Sequence, residues 1–461
     1  MPSPAARLVD VNHALDEGQW SAFQKRLLAL AALAFAVDGL ANQVLGLALP
    51  ALIGAWHTPR EAFAPVAALG LVGVAVGTAL GGVLGDRFGR RAGLIGSVLL
   101  FGLTTAATAS VNGLAPLMWL RLLAGLGIGG AIPNGAALIA EFTPLRQRSL
   151  AIALGMVFIP VGGVLAGAIG TLALASLGWR ELFLICGVLP LGLVVVFLLV
   201  LPESPRYLVR FSQRRRDLIA LLERCGHRIE PGSEFHEGER GKRHTPLKLL
   251  FARDIVGETF LLWIAFFFCL LASYTMFSWV PTMLLGQGFD LAMTSSGMTM
   301  FNIGGMLGGV IGGWLIGQMG SRVSVPGLAA GSVMGALALG LLPLTPHHVP
   351  FSFGALIIEG IFIGGLHNGL YTLAAFIYPS FARATGVGAA AGVGRIGAVL
   401  SSYTGVITLK LAGASGYFIV IAGACGIAFL ATALMRQRIP RRAPHALALP
   451  ERAASLSAGR D

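Results

Sequence analysis

Apolar residues run through this chain in long blocks separated by short polar gaps. Blocks of this kind fall near 27–53, 62–84, 92–112, 114–139, 149–175, 180–201, 255–280, 294–317, 323–344, 350–378, 384–410 and 413–435. About 20 apolar residues in helical conformation cross the hydrocarbon layer of a bilayer, so the pattern predicts twelve membrane-spanning helices. One long polar stretch, 202–254, divides them six and six. The expected organisation is a polar N-tail (1–26), a first six-helix bundle (27–201), a linker (202–254), a second bundle (255–435) and a C-tail (436–461). The linker, with Arg214-Arg215-Arg216 and the charged run from Glu237 to His244, reads as a solvated and partly helical connector, with anionic lipid as its second possible partner.

Composition agrees with lipid as the main solvent. Of 461 residues, 55% are hydrophobic and 12% charged, about half the charged share of a soluble domain. The 64 glycines suit helices that meet in lipid, where close backbone approach takes over from the hydrophobic effect. The net charge of +12 does not imply nucleic acid, because the basic residues fall in the gaps between apolar blocks and do not gather on one soluble face. If the N-terminus is cytoplasmic, the inner segments carry 28 Lys and Arg, against Arg60, Arg180 and Lys410 outside. Both termini are therefore expected in the cytoplasm and the chain in the inner membrane. Cys186, Cys225, Cys269 and Cys425 lack metal-type spacing and read as packing residues. No nucleophile–base constellation or phosphate loop is visible, so no catalytic residue, metal or cofactor is expected. The first 25 residues are too polar for a cleavable signal peptide.

The chain repeats itself. A shift of 235 residues carries Gly85, Arg87, Ile128, Gly129, Gly130, Pro144 and Arg148 onto Gly320, Arg322, Ile363, Gly364, Gly365, Pro379 and Arg383, and a shift of 234 carries Asn134-Gly135 onto Asn368-Gly369. Parallel six-span repeats of this kind place a substrate near the midplane between two bundles.

Between spans 2 and 3 stands Gly85-Asp86-Arg87-Phe88-Gly89-Arg90-Arg91, which resembles the signature loop of the major facilitator superfamily. Span 4 begins Arg121-Leu-Leu-Ala-Gly125, continues through Pro133-Asn134-Gly135 and closes with Glu141-Phe-Thr-Pro144-Leu-Arg146-Gln-Arg148. With Asp38-Gly39, Trp279-Val280-Pro281, Asn302-Ile-Gly304-Gly305, Arg383-Ala-Thr385-Gly386 and Gly394-Arg395-Ile-Gly397-Ala398, it is similar to the aromatic acid:H+ symporter branch of that superfamily. The resemblance covers nearly the whole chain. It implies proton-coupled uptake of a small aromatic or related carboxylate by a monomer, through alternating access. Gly85, Asp86, Arg87, Gly89, Arg90, Arg148 and Arg383 would then serve gating, with charge pairs across the bundles. One position departs from the pattern: where the branch carries a second acid in span 1, this chain has Ala41, followed by Asn42.

An ionisable group in mid-bilayer costs about 2.5–3.5 kcal/mol, which makes each a functional candidate. Four stand out: Asp38, Arg121, Glu359 and Arg395. Asp38 is expected to bind the coupled proton, with Glu359 as the acid that could replace the one missing at 41. Arg121 and Arg395 can present planar donor forks to a carboxylate, though Arg121 could instead pair with Asp38. Asn42, which shares a helical face with Asp38, and Asn134, Tyr274, Asn302, His367 and Asn368 are the other candidate substrate contacts. Trp279 reads equally as pocket wall or interfacial anchor. Two fragments point elsewhere. Pro202-Glu203-Ser204-Pro205-Arg206 resembles a sugar porter loop, and Gly155 to Gly163 resembles part of a drug antiporter motif. A sensor without transport is the remaining alternative.

Overall fold

A computed structural model of the chain describes residues 8–17, 20–227, 229, 234–236, 250–252, 255–342, 344–378, 383–436 and 439. The run Glu237–His244, the linker's remaining basic residues beyond Arg224, the tail arginines beyond Arg436 and Pro379 lie outside these residues.

Among the described residues twelve long helices carry the fold. They are α1 (Ala22–Trp56), α2 (Ala64–Phe88), α3 (Arg90–Thr108), α4 (Leu114–Phe142), α5 (Leu145–Ser176), α6 (Trp179–Val200), α7 (Val256–Gly286), α8 (Leu291–Met319), α9 (Ser321–Leu341) and α10 (Val349–Ile377), followed by one helical run, Arg383–Leu434. That run breaks at Gly413 (φ 60°, ψ −156°), giving α11 (383–412) and α12 (414–434). The twelve expected spans are thus present. Span 5 starts earlier than the apolar block suggests and is interrupted at Val157. Ser21 caps α1 by accepting from Gln24 N while the Gln24 side chain accepts from Ser21 N, a reciprocal box that satisfies two orphan donors. Large apolar side chains such as Leu172, Leu199, Leu341 and Leu411 are exposed, on a surface that only lipid can cover.

The packing repeats as the sequence does. In the first half α2 lies on α4, α1 on α5 and α3 on α6; in the second α8 lies on α10, α7 on α11 and α9 on α12. Glycines make the equivalent crossings. A Cβ on Gly125 would lie 3.0 Å from Gly73 Cα, and one on Gly360 would lie 3.1 Å from Gly304 Cα, so neither crossing admits a larger residue without separating two backbones. The bundles meet through α5 against α8, α2 against α11 and α1 against α7.

The repeat register slips at one place. Gly89 alone joins α2 to α3 (φ 103°) and Gly320 alone joins α8 to α9 (φ 77°). Both conformations favour glycine. The conformational partner of Gly320 is therefore Gly89 and not Gly85: α8 ends one helical turn earlier than the 235-residue register implies.

At the arginine-rich end, short segments cover the first bundle. The helix Val11–Glu17 packs on the start of α5 and on the helix Pro205–Val209. Strand β1 (Leu8–Asp10) pairs in parallel with β2 (Glu234–His236). The linker also contains the helix Arg215–Arg224, in keeping with a partly helical connector.

Candidate functional site

Between the bundles lies a cleft with about 670 Å3 of empty space, counting the part open to solvent. It is lined by α1 (Ala41, Asn42, Gln43), α2, α4 and the α7 segment Tyr274–Trp279. Helix α7 presents both kinds of group that a flat, polar solute needs. Phe277 and Tyr274 meet edge to face with centroids 5.7 Å apart, and Ser278 adds a hydroxyl beside them. Trp279 is fully buried against Gly405 and lines the cleft. The alternative of an interfacial anchor is thereby removed.

Beside this wall stands a polar cluster drawn from three helices. Arg395 on α11 donates from Nη1 to the Tyr274 hydroxyl at 2.6 Å and lies over its ring, 5.7 Å from the centroid. Asp38 on α1 and His367 and Tyr371 on α10 lie within the electrostatic reach of that guanidinium. His367 is half-buried, its ring 5.5 Å from that of Tyr371. Asp38 is 1% exposed, and its Oδ1 has no hydrogen-bond partner among the described residues. No salt bridge to Arg395 is formed among the described residues, so the two side chains lie on either side of the bundle interface without contact. Asp38, Asn42, Tyr274, His367 and Arg395 are thus gathered by the fold. Tyr371 joins them unannounced by the sequence, where one tyrosine in an apolar helix carries no mark.

Other candidates go elsewhere. Arg121 touches the cleft, but its Nη2 donates to Thr108 Oγ1 at 3.2 Å and its guanidinium lies 5.2 Å from the Phe183 centroid. It points into the first bundle and does not pair with Asp38. Glu359 is fully buried inside the second bundle, where it accepts from Ser332 Oγ at 2.6 Å, while that serine also reaches Cys425. This placement sets Glu359 on the side of α9 and α12, with no contact to Asp38 among the described residues. Asn134 donates to Gly81 O at 2.9 Å and Gly130 O at 2.8 Å and fills the space beside Gly85 and Gly93. It holds α2, α3 and α4 together and is absent from the cleft wall. Asn368, its repeat partner, is exposed beside Gly309. Asn302 is buried and its amide is spent on Gln43 and Met298.

The residues expected to serve gating also resolve into two groups. Arg90 pairs with Asp86, lies 3.6 Å from Glu141 and donates to Gly82 O. Arg91 donates from its backbone N–H to Glu203 at 3.1 Å, and Glu203 packs on Gly89. Ser204 bonds Glu141, and Arg210 donates to Asp86 O. These bonds close within the first bundle and do not cross to the second. The sugar-porter-like fragment is therefore a brace beneath the α2–α3 turn. Glu141 and Glu203 were legible only as parts of motifs, not as acceptors. Arg148 pairs with Asp16 of the N-terminal helix and donates to Thr143 O at 3.2 Å, whereas Arg87 and Arg383 are exposed. Among the described residues no group of three or more His, Cys, Asp or Glu is arranged to hold a metal.

Known proteins share this plan. The sequence profile described as Major Facilitator Superfamily matches residues 31–402. A 4-hydroxybenzoate transporter of Pseudomonas aeruginosa is 32% identical over 88% of this chain and 91% of its own length. The 3-(3-hydroxy-phenyl)propionate transporter of Escherichia coli is 32% identical over 87% and 94%, and a gallate transporter of Pseudomonas putida 31% identical over 88% and 90%. In structure, the inward open form of the xylose transporter XylE from E. coli superposes with a TM-score of 0.70, covering 90% of this chain and 97% of that one at 16% identity, which speaks for the fold alone. The two repeated six-helix halves, the cleft between them and the profile match together make this chain a member of the major facilitator superfamily, a membrane transporter and not an enzyme.

Proposed function

We propose that the chain carries a small aromatic carboxylate into the cell together with a proton, by rocking of the two bundles about the central cleft. The observation that carries this reading is the juxtaposition of Arg395, Tyr274 and Asp38 beside an aromatic wall. A guanidinium fork is suited to a carboxylate and the rings of Tyr274 and Phe277 to a flat substrate, while Asn42 and Ser278 offer partners to ring hydroxyls. The names of the relatives, which transport hydroxylated aromatic acids, support the same class.

Charge balance supplies the coupling. Empty, Arg395 is the cation that faces Asp38. A substrate carboxylate seated on Arg395 takes over that cation, and in a water-poor site the charge is then balanced by a proton on Asp38. Loaded substrate and proton cross together; either alone leaves an uncompensated buried charge. With Ala41 in place of a second acid, one proton accompanies one carboxylate. We place the arginine-rich end in the cytoplasm of a bacterial cell, with both termini inside. The bonds between bundles then fall on the outer half, as in an inward-facing state.

Uptake of labelled acids into liposomes holding the purified chain, under an imposed inward proton gradient, tests the reading. Accumulation of a benzoate, hydroxybenzoate or phenylpropionate without accumulation of xylose is the expected result. No accumulation of any such acid would remove the substrate class.

A further inference from the structure

At the edge of the cleft a buried amide pair bridges the two bundles. Gln43 on α1 donates from Nε2 to Asn302 Oδ1 at 2.8 Å, and Asn302 on α8 donates from Nδ2 to Gln43 Oε1 at 2.7 Å. Asn302 Nδ2 also reaches Met298 O at 2.9 Å. Both side chains are buried, and they come from different bundles. Helix α5 leaves room for them: a Cβ on Gly163 would stand 2.6 Å from Asn302 Oδ1. Farther along the interface, Thr171 and Ser296 hydroxyls meet at 3.1 Å and Lys410 reaches Glu61 at 3.4 Å, again between bundles.

We propose that Gln43 and Asn302 form the latch of the outer gate, a reciprocal amide pair that makes the inward-facing state selective over the outward-facing one. The physical asymmetry is simple. When the bundles part, each amide exchanges its partner for water at little net change; when they close, an amide without its partner is buried unsatisfied. The pair therefore contributes to closure only as a pair. It is also one-sided: Leu71, which stands where the register set by Gly89 and Gly320 carries Asn302, offers no amide and lines the cleft instead. The inference rests on rocking of the bundles and not on which acid is carried, so it stands or falls apart from the substrate.

The test reads accessibility without substrate. Ser296→Cys, in a chain whose four native cysteines are replaced, is placed in cells and treated with a membrane-impermeant maleimide. Gln43→Leu or Asn302→Leu is expected to speed labelling roughly tenfold, the equivalent of about 1.4 kcal/mol in the ratio of the two states. The exchange Gln43→Asn with Asn302→Gln keeps an amide on each side and is expected to bring the rate back toward the parent. Unchanged labelling in the single variants, or no recovery in the exchange, overturns the latch. If the single variants do not fold, Gln43→Cys with Asn302→Cys decides: a short bifunctional thiol reagent is expected to stop transport, and transport that continues through the cross-link overturns the proposal.

Discussion

Replacing Asp38 by Asn is the sharpest perturbation of the coupling scheme, because it keeps the shape of the side chain and removes only its ability to exchange a proton. Among the described residues Asp38 is the one acid within electrostatic reach of Arg395, while Ala41 is apolar and Glu359 is turned into the second bundle. One exchangeable proton per substrate sets the size of the effect. A gradient of one pH unit is worth about 1.36 kcal/mol per proton, or a tenfold accumulation at equilibrium. A monoanion moving with one proton carries no net charge, so a membrane potential of ~100 mV, worth about 2.3 kcal/mol per charge, adds nothing. In liposomes the parent chain should accumulate its acid roughly tenfold per inward pH unit and be indifferent to a potassium–valinomycin potential. Asp38→Asn should bring gradient-driven accumulation to the equilibrium ratio of one while leaving exchange of labelled for unlabelled acid intact. Accumulation that persists in Asp38→Asn, or that responds to the potential in the parent, refutes single-proton coupling through this residue.

Arg395→Lys keeps the charge and loses the planar fork that holds Tyr274 and the substrate; the half-saturation concentration for exchange should rise roughly tenfold or more, the worth of one charge-assisted hydrogen bond of about 1.5–3 kcal/mol, and an unchanged value would remove Arg395 from the substrate. Glu359→Gln should preserve gradient-driven uptake, since its carboxylate serves Ser332 inside the second bundle; loss of accumulation with exchange retained would make Glu359 a second proton site. Gly360→Val forces a side chain onto the α8 backbone at Gly304 and Gly305 and should lower the thermal unfolding midpoint in detergent, with about 1–3 kcal/mol expected from overpacking alone; a parent-like midpoint would show that the helices separate without cost.

Much of this molecule was determined along the chain. Block length and arginine placement decide the number of spans and which end collects positive charge, because the cost of burying backbone and charge in hydrocarbon acts locally, residue by residue. The glycine repeat around Gly125 and Gly360 likewise announces its crossings, since only close backbone approach demands that spacing. Asp38 and Arg395 stood out for the same reason: a charge in an apolar block is conspicuous wherever it points.

Direction is what only the tertiary structure decided. Arg121 and Glu359 are as conspicuous in sequence as Asp38, yet each turns into its own bundle, toward Thr108 and Phe183 in one case and Ser332 in the other. Asn134 and Asn302, chosen as substrate contacts, spend their amides on helix crossings and on the bundle interface. Gln43 and Tyr371 carried no signal, because a single polar residue in an apolar helix acquires meaning only from a partner more than two hundred residues away or on another helix. Rotation about a helix axis and contact between bundles are set by packing across the whole membrane domain, and no local free energy along the chain encodes them.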